Sequence, residues 1–450
     1  MGWIEELSEI VEVFPPSEAY AHDETPPLIA PKPVQNFVVV KPWNASEVSA
    51  VLEFANRRKI PVFTRGGGTG LSGGAVPTEE GIVLSTERMT DLEVDRENRV
   101  ADCGAGVTLK QLDDAAFKNG LSFPPHPGAE TATVGGMIAT NAGGVRALKY
   151  GTMRNYVLGL EVVLADGRIL ELGGKVIKNS SGYSLLHLFV GSEGTLGVIT
   201  RAKIRLFPQL KDMTVLAVPF STMENAMKCV VEISTKMLPL ALEFMEKRAV
   251  EIGEMVSGER WVSVDGEAHL LMIFESFDEA EEAATIAQNL GAVDVYAATT
   301  KKEQDRLLKI RGLIYEGLRK DIIEILDVCV PPAKIAEYCR KSNEIAAEYG
   351  ITLITYGHAG DGNVHQHPLI YEGWEENYFD FRKKLLRLAV SLGGVISGEH
   401  GIGTVKTSEL QELFPEHFAV MKKLKLLFDP NNVLNPGKVV GKIQSKLNFQ

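Results

Sequence analysis

The 450-residue chain has only four cysteines, Cys103, Cys229, Cys329 and Cys339, and no Cys-x-x-Cys pair. That argues against an iron–sulfur cluster or a Cys-rich zinc site and makes a reducing compartment the default. Each thiol is expected to be a small buried residue. No window of 18 apolar residues occurs, so no helical membrane span is expected. The stretch from Met1 to Ile10 carries Glu5, Glu6 and Glu9 and lacks the basic start and apolar core of a signal peptide. A cytoplasmic protein is expected, with peripheral attachment at the inner face of the membrane left open. With 47 basic against 59 acidic residues the net charge is −12, and no dense Lys/Arg stripe appears. Nucleic acid is therefore not an expected partner. The chain has no P-loop lysine motif, no haem motif and no internal repeat.

Glycine, by contrast, is abundant: 43 residues, gathered in turn-like runs. The densest run is Arg65-Gly66-Gly67-Gly68-Thr69-Gly70-Leu71-Ser72-Gly73-Gly74, which follows the short apolar strand pattern Ile60–Phe63. Serial glycines let successive backbone N–H groups point at one anion. The run reads either as a cradle for something phosphorylated or as a tight turn inside a sheet. Before it, Phe37–Val40 reads as a buried strand. Asn44 and Glu47 have capping-box spacing, and Val48, Val51, Leu52 and Ala55 share one helical face. Strand, helix and strand make a βαβ unit, with Gly81–Leu84 as the next strand.

From about 95 to 208 the pattern changes. Val100–Cys103, Val157–Leu164 and Ile169–Leu172 read as strands and Leu109–Lys118 as a helix. Between them run nearly charge-free segments around Pro125–Gly128 and Thr133–Gly144, and Gly191–Thr200 closes the block. Small residues over that length suit backbone lying flat against a large planar ligand. Near Phe207-Pro208-Gln209 the composition shifts and a domain boundary is expected. Beyond it, strands (Val215–Val218, Leu270–Phe274, Ile351–Thr355) mix with amphipathic helices (Ser221–Ser234, Glu279–Gly291, Glu376–Leu392), an α+β order with an antiparallel sheet.

The sharper chemistry lies in this second half. Gly357-His358-Ala359-Gly360-Asp361-Gly362-Asn363-Val364-His365 reads as strand, tight turn, strand, bringing His358 and His365 together. Ser397-Gly398-Glu399-His400-Gly401-Ile402-Gly403 places a carboxylate and a third imidazole on another glycine-flanked turn. Two His and one Glu suit a divalent metal with positions left for substrate. The plainer alternative is three hydrogen-bonded loop histidines. His367 shares a strand face with His365 and leaves the ligand choice open. His22, His126, His187, His269 and His417 have no such context.

Taken together, these motifs, with Asn435-Pro436-Gly437-Lys438 near the end, resemble the FAD-linked oxidase family of the vanillyl-alcohol oxidase superfamily. Within it the chain is similar to the D-2-hydroxyacid dehydrogenases over about Val38 to Lys438. The resemblance implies an α+β protein: an N-terminal arm (1–34), a two-subdomain, PCMH-type FAD-binding domain (35–209), an antiparallel-sheet cap and substrate domain with a metal site (210–422), and a C-terminal segment returning to the FAD domain (423–450). It further implies FAD held by Arg65, Gly66, Gly67, Gly68, Thr69, Gly70 and Ser72. Pro125, Gly128, Thr133, Gly135, Gly136, Asn141, Gly143, Gly144, Glu193, Gly194, Val198, Ile199 and Asn435 would complete that site. Relatives that tether FAD through the first loop have a His where this chain has Thr69, so non-covalent FAD is expected.

By the same resemblance His358, His365 and Glu399 would bind a divalent metal, zinc first with manganese or iron as alternatives. His400 would act as base, and Arg311, His400 and Asn435 would bind substrate. Hydroxyglutarate-type members carry a Lys where this chain has Ile325, which favours a small monocarboxylate. The implied activity is FAD-dependent oxidation of a small D-2-hydroxy acid, D-lactate foremost, to the 2-keto acid. The alternatives are a glycolate oxidase flavoprotein subunit in a larger complex, a non-catalytic FAD subunit, and a non-redox flavoenzyme like alkylglycerone-phosphate synthase. The electron acceptor is left open among quinone, cytochrome, electron-transfer flavoprotein and iron–sulfur subunit, as is a homodimer.

Overall fold

The computed structural model describes residues 2–443 except 126, 210–212 and 264. His126, the expected boundary at 209/210 and the end of the C-terminal segment thus lie outside the described residues. Among the described residues no helix is long and apolar enough to cross a membrane. Cys103, Cys229 and Cys339 are buried, whereas Cys329 is partly exposed and its thiol faces the Asp361 carbonyl at 3.3 Å.

The first sheet has four strands in the order Val13–Phe14, Phe37–Val40, Gly81–Ser85, Val62–Arg65. The expected βαβ unit forms, but its two strands are not neighbours. Gly81–Ser85 lies parallel between them. The crossover helix Ala45–Arg58 starts at Asn44, whose side chain accepts from Glu47 N; the Glu47 carboxylate reaches back to Trp43 N, one residue beyond a standard capping box. Val48, Val51, Leu52 and Ala55 are all fully buried.

The second sheet has five antiparallel strands: Leu92–Asp95, Val100–Gly104, Val198–Arg205, Val157–Val163, Ile169–Gly173. The last strand in sequence inserts at its centre. The segment after Thr133 is not flat backbone as expected. Val134–Thr140 is a helix, capped by the Thr133 hydroxyl and ended by Asn141 at φ 52°.

The third sheet has seven strands, every pair antiparallel: Tyr296–Ala298, Thr214–Phe220, Ala268–Phe274, Ala241–Glu246, Leu353–His358, Asn363–Pro368, Leu326–Cys329. Side chains alternate between its faces. Leu216, Val218, Leu270, Met272, Leu242, Phe244, Val328 and Val364 pack under helices Met223–Lys236, Phe277–Asn289, Ile335–Tyr349 and Trp374–Ser391. Val215, Ala217, Leu271, Ile273 and Tyr356 pack on the other face with helices Lys247–Ser257 and Lys301–Gly312. By that alternation Glu243, Asp327, His358, His365 and His367 fall on this second face.

The chain then returns to the first sheet. Val62 N donates to Val433 O at 2.7 Å and Asn435 N to Val62 O at 2.8 Å, so residues 433–435 extend the sheet beyond Val62–Arg65. The fastening is Lys425, at the end of helix Pro415–Phe428. Its buried ammonium donates to Thr195 O (2.9 Å), Leu434 O (2.6 Å) and Asp429 Oδ2 (2.5 Å). Burial lowers its basicity against the pull of Asp429. Removing one partner of a buried pair leaves the other uncompensated, at a cost of about 3–5 kcal/mol. Lys425→Met should therefore lower stability by about that amount, read as a lower denaturant midpoint; a change below about 1 kcal/mol would show that the lysine is not the fastening.

Candidate active site

A cavity of about 680 Å³ opens between the glycine loop and the second face of the seven-stranded sheet. Arg65, Gly66, Gly67, Gly68, Thr69 and Gly70 form one wall, with Gly128, Thr133, Gly135, Gly136, Gly143, Gly144, Glu193, Gly194, Val198, Ile199 and Asn435. Arg311, His358, His365, Glu399 and His400 form the opposite wall, with Tyr315, Ile325 and Tyr356.

Three residues expected at the cofactor do not line the cavity. Ser72 is buried behind the loop, and its hydroxyl donates to His400 O at 2.9 Å. The Asn141 side chain accepts from Thr152 Oγ1 and Arg154 N, both at 3.0 Å. Pro125 is buried, and the lining begins at Pro127.

The glycine loop suits a phosphorylated group. Among the described residues, no backbone N–H from Gly66 to Leu71 has an acceptor within the protein. These residues are half-buried or exposed along the cavity, so their amides are open to a ligand, and a wall of such donors fits anionic oxygens. The loop also touches its neighbours closely: a Cβ on Gly66 would lie 2.3 Å from Thr133 Oγ1, and one on Gly67 2.5 Å from Thr131 O. Only glycine fits there.

Across the cavity, the turn after Leu353–His358 returns the chain as Asn363–Pro368, pairing Tyr356 with His365. The rings of His358 and His365 stand 5.4 Å apart. Glu399 Oε1 lies 3.6 Å from His358 Nε2 and 3.3 Å from His365 Nε2. These three donor atoms lie within 4.8 Å of one another, as one ion requires. His358 Nδ1 meets Glu243 Oε1 at 2.6 Å. A carboxylate on Nδ1–H fixes the tautomer and aims the Nε2 lone pair at the ligand position. Burial alone would lower the basicity of His358, but Glu243 and Glu399 raise it well above the ordinary imidazole value.

Asp327, His365 and His400 form a second cluster of the same span. Asp327 is poorly placed to be a ligand, because its oxygens are already engaged. Oδ2 accepts from Ser397 Oγ (3.0 Å), Gly398 N (3.1 Å), Glu399 N (3.1 Å) and His400 N (2.9 Å), and Oδ1 accepts from Asn363 Nδ2 (2.7 Å). Burial would raise its pKa, yet His400 and Lys406 outweigh that and hold it well below the usual carboxylate range.

His367 is not part of either cluster. Its ring stacks on Tyr356 at 4.9 Å and 15°, and burial, followed by the neighbouring His365, His400 and Arg311, keeps it neutral. Arg311 lies over the same tyrosine at 4.6 Å, and its Nη2 and Nε reach Glu243 Oε2 at 2.7 and 3.0 Å. Glu243 thus orients both His358 and Arg311.

Glu243, Asp327 and Tyr356 were not singled out from sequence for this site. A faint signal existed: Glu243 lies between Leu242 and Phe244, and Asp327 between Leu326 and Val328. A lone acid inside an apolar strand calls for a specific partner.

Comparison with known proteins adds independent findings. Residues 209–439 match the family model for the C-terminal domain of FAD-linked oxidases, and residues 37–173 match an FAD binding domain. The chain is 81% identical to a D-lactate dehydrogenase of Archaeoglobus fulgidus over 443 residues, 98% of this chain and 100% of that protein. It is 39% identical to a D-lactate dehydrogenase of Anaerostipes hadrus (95% of this chain, 94% of that protein). It is 36% identical to glycolate oxidase subunit GlcD of Bacillus subtilis (94% and 92%). Among solved structures, p-cresol methylhydroxylase superposes with TM-score 0.78 at 17% identity (98% of this chain, 96% of that one). Alkyldihydroxyacetonephosphate synthase does so with TM-score 0.73 at 18% identity (97% and 85%). At those identities the structures show the shared fold.

Asp327→Asn keeps the side-chain shape but replaces an ionised acceptor with a neutral amide. Hydrogen bonds to charged groups contribute about 1.5–3 kcal/mol each. The variant should lose about 3 kcal/mol or more in urea unfolding. An unchanged midpoint would show that the 397–400 turn does not depend on this carboxylate.

Proposed function

The chain belongs to the family of FAD-linked oxidases, and we propose that it oxidises a small D-2-hydroxy acid, D-lactate foremost, to the corresponding 2-keto acid. The observation that carries this reading is the facing of two walls across one cavity, unpaired glycine-loop amides on one side and Arg311, His400 and the His358–His365–Glu399 cluster on the other. FAD, bound without a covalent tether at Thr69, would supply the two-electron acceptor. A divalent metal, zinc first with manganese or iron as alternatives, would be held by His358, His365 and Glu399 and supply Lewis acidity toward the substrate oxygens.

Arg311 binds the substrate carboxylate. Glu243 occupies its Nε and Nη2, and Tyr356 supports the guanidinium plane, leaving Nη1 for the ligand. His400 takes the proton of the C2 hydroxyl. Burial lowers its basicity more than Asp327 and Glu399 raise it, so the imidazole is neutral and able to accept at neutral pH. Its Nδ1 lies 3.6 Å from Asp327 Oδ2, too long for a hydrogen bond but close enough for the carboxylate to favour the Nδ1–H tautomer. Nε2 is then the atom that accepts the proton.

Ile325 gives the cavity an apolar side chain, and Arg319, a further lining cation, pairs with Glu316 at 3.2 Å. This favours a substrate with no distal carboxylate, and a methyl group against Ile325 favours lactate over glycolate.

In anaerobic titrations D-lactate should bleach the flavin, while L-lactate and D-2-hydroxyglutarate at equal concentration should not. Equal bleaching by both lactate enantiomers would overturn the assignment. His400→Gln should retain FAD yet reduce it about 10²-fold more slowly in stopped flow; a near-normal rate would remove His400 from the role of base. Dialysis against a chelator should leave the flavin absorbance in place and slow its reduction, with recovery on adding Zn²⁺ or Mn²⁺. Full activity in protein shown to be metal-free would refute the metal.

A further inference from the structure

The turn that carries Glu399 and His400 belongs to the seven-stranded domain by sequence but is gripped from both domains. Asp327 holds its first half, accepting from Ser397, Gly398, Glu399 and His400. The cofactor-side domain holds its second half. Glu193 Oε1 accepts from Ile402 N at 2.8 Å and Oε2 from Gly403 N at 2.9 Å. Ser72 Oγ donates to His400 O at 2.9 Å, and Thr404 N donates to Ser72 O at 2.9 Å. A Cβ on Gly143 would stand 3.1 Å from Glu399 Oε2.

Glu193 is the bridging residue. It is one of the residues that line the cavity, and its backbone sits at φ 49°, a conformation that L side chains seldom adopt. It is held there by Glu193 N to Ala139 O at 2.8 Å and Asn435 Nδ2 to Glu193 O at 2.6 Å. Gly194 beside it tolerates no side chain, since a Cβ would lie 2.1 Å from Thr64 Oγ1. Glu193 therefore belongs to the cavity lining while its carboxylate holds the turn that presents a metal ligand and the base.

We propose that Glu193, with Ser72, couples the two halves of the site, so that FAD binding raises affinity for the divalent metal and metal binding raises affinity for FAD. This rests on the reading that FAD occupies the glycine wall and a metal the His358–His365–Glu399 cluster. An occupied cavity orders the backbone at Gly143 and Glu193. Ordering these holds Ile402, Gly403 and His400 through the contacts above and keeps Glu399 turned toward the two imidazoles. Whichever ligand arrives second finds the turn already ordered and loses less conformational entropy. Linkage makes the factor identical in both directions.

The test is titration of the full-length chain with Zn²⁺ alone, in FAD-loaded and FAD-stripped form, by competition with a chelating dye. Zn²⁺ affinity is expected to be about tenfold tighter with FAD, and FAD affinity, followed by flavin fluorescence, to rise by the same factor with Zn²⁺. Glu193→Ala should still bind Zn²⁺, but with an FAD-dependent ratio near one, and Ser72→Ala should give an intermediate ratio. Equal Zn²⁺ affinity of the two wild-type forms overturns the coupling and leaves the metal reading standing. A full tenfold ratio in folded Glu193→Ala overturns the assignment to Glu193. Absence of Zn²⁺ and Mn²⁺ binding to the FAD-loaded wild type overturns the metal reading and the coupling with it. The wild-type comparison in both directions needs no variant, so it decides the coupling even if Glu193→Ala fails to fold.

Discussion

A carboxylate removed from water must be met by donors, and Asp327 is met by six: five hydrogen bonds from Ser397, Gly398, Glu399, His400 and Asn363, with the Lys406 ammonium 3.6 Å away. Three of these are successive backbone amides, which can converge on one oxygen only if the chain turns sharply at Gly398. A Cβ on Gly398 would lie 2.1 Å from Asn363 Nδ2, so the turn has no room for another residue. The position of Glu399 beside His358 and His365 follows from that convergence, as does the exposure of His400 to the cavity. The strand end Leu326–Cys329, remote in sequence from residue 400, thus sets where Glu399 and His400 stand.

The antiparallel sheet makes this economical. Period-two alternation sends the apolar residues of five strands to a core under four helices and leaves the opposite face for Glu243, Asp327, Tyr356, His358, His365 and His367. Each polar group there is buried, and most are partnered within the face. Glu243 serves His358 and Arg311 together, and Tyr356 lies against both Arg311 and His367. Rigid strands hold these contacts more accurately than loops would. The glycine-rich wall across the cavity is built on the opposite principle. It offers bare backbone amides, and its residues approach too closely for side chains at Gly66 and Gly67.

Much of the site was legible without coordinates. The tight turn between His358 and His365 announces their proximity, since a short hairpin brings its flanking residues together. Glycines around Glu399 and His400 announce a turn, and the glycine run after Ile60–Phe63 announces an amide-rich surface. Lining could not be told from backing. Ser72, Asn141 and Pro125 sit in the same small-residue context as the glycines that line the cavity, yet none of the three lines it, and Ser72 and Asn141 spend their side chains on other partners. Composition reports that backbone comes close to something; it does not report on which side. The helix Val134–Thr140 carries no local signal for a related reason, because Gly135 and Gly136 weaken helix propensity and tertiary packing supplies the stability instead.

The sequence by itself pointed to two features, a glycine loop with bare amides and a cluster of two His and one Glu, because both depend on residues close along the chain whose spacing has a direct geometric meaning. It also determined the antiparallel character of the second half through the order of strands and helices. Only the tertiary structure decided which strands are neighbours, since Gly81–Ser85 and Val198–Arg205 each insert between earlier strands. Only it set His367 apart from the His358–His365–Glu399 cluster, and only it showed that Glu243, Asp327 and Glu193 hold His358, Arg311 and the 397–403 turn in place. Those three act through contacts spanning from 68 to 210 residues of chain. Partners at such separations leave no local pattern, and a buried carboxylate takes its meaning from the donors that folding brings to it.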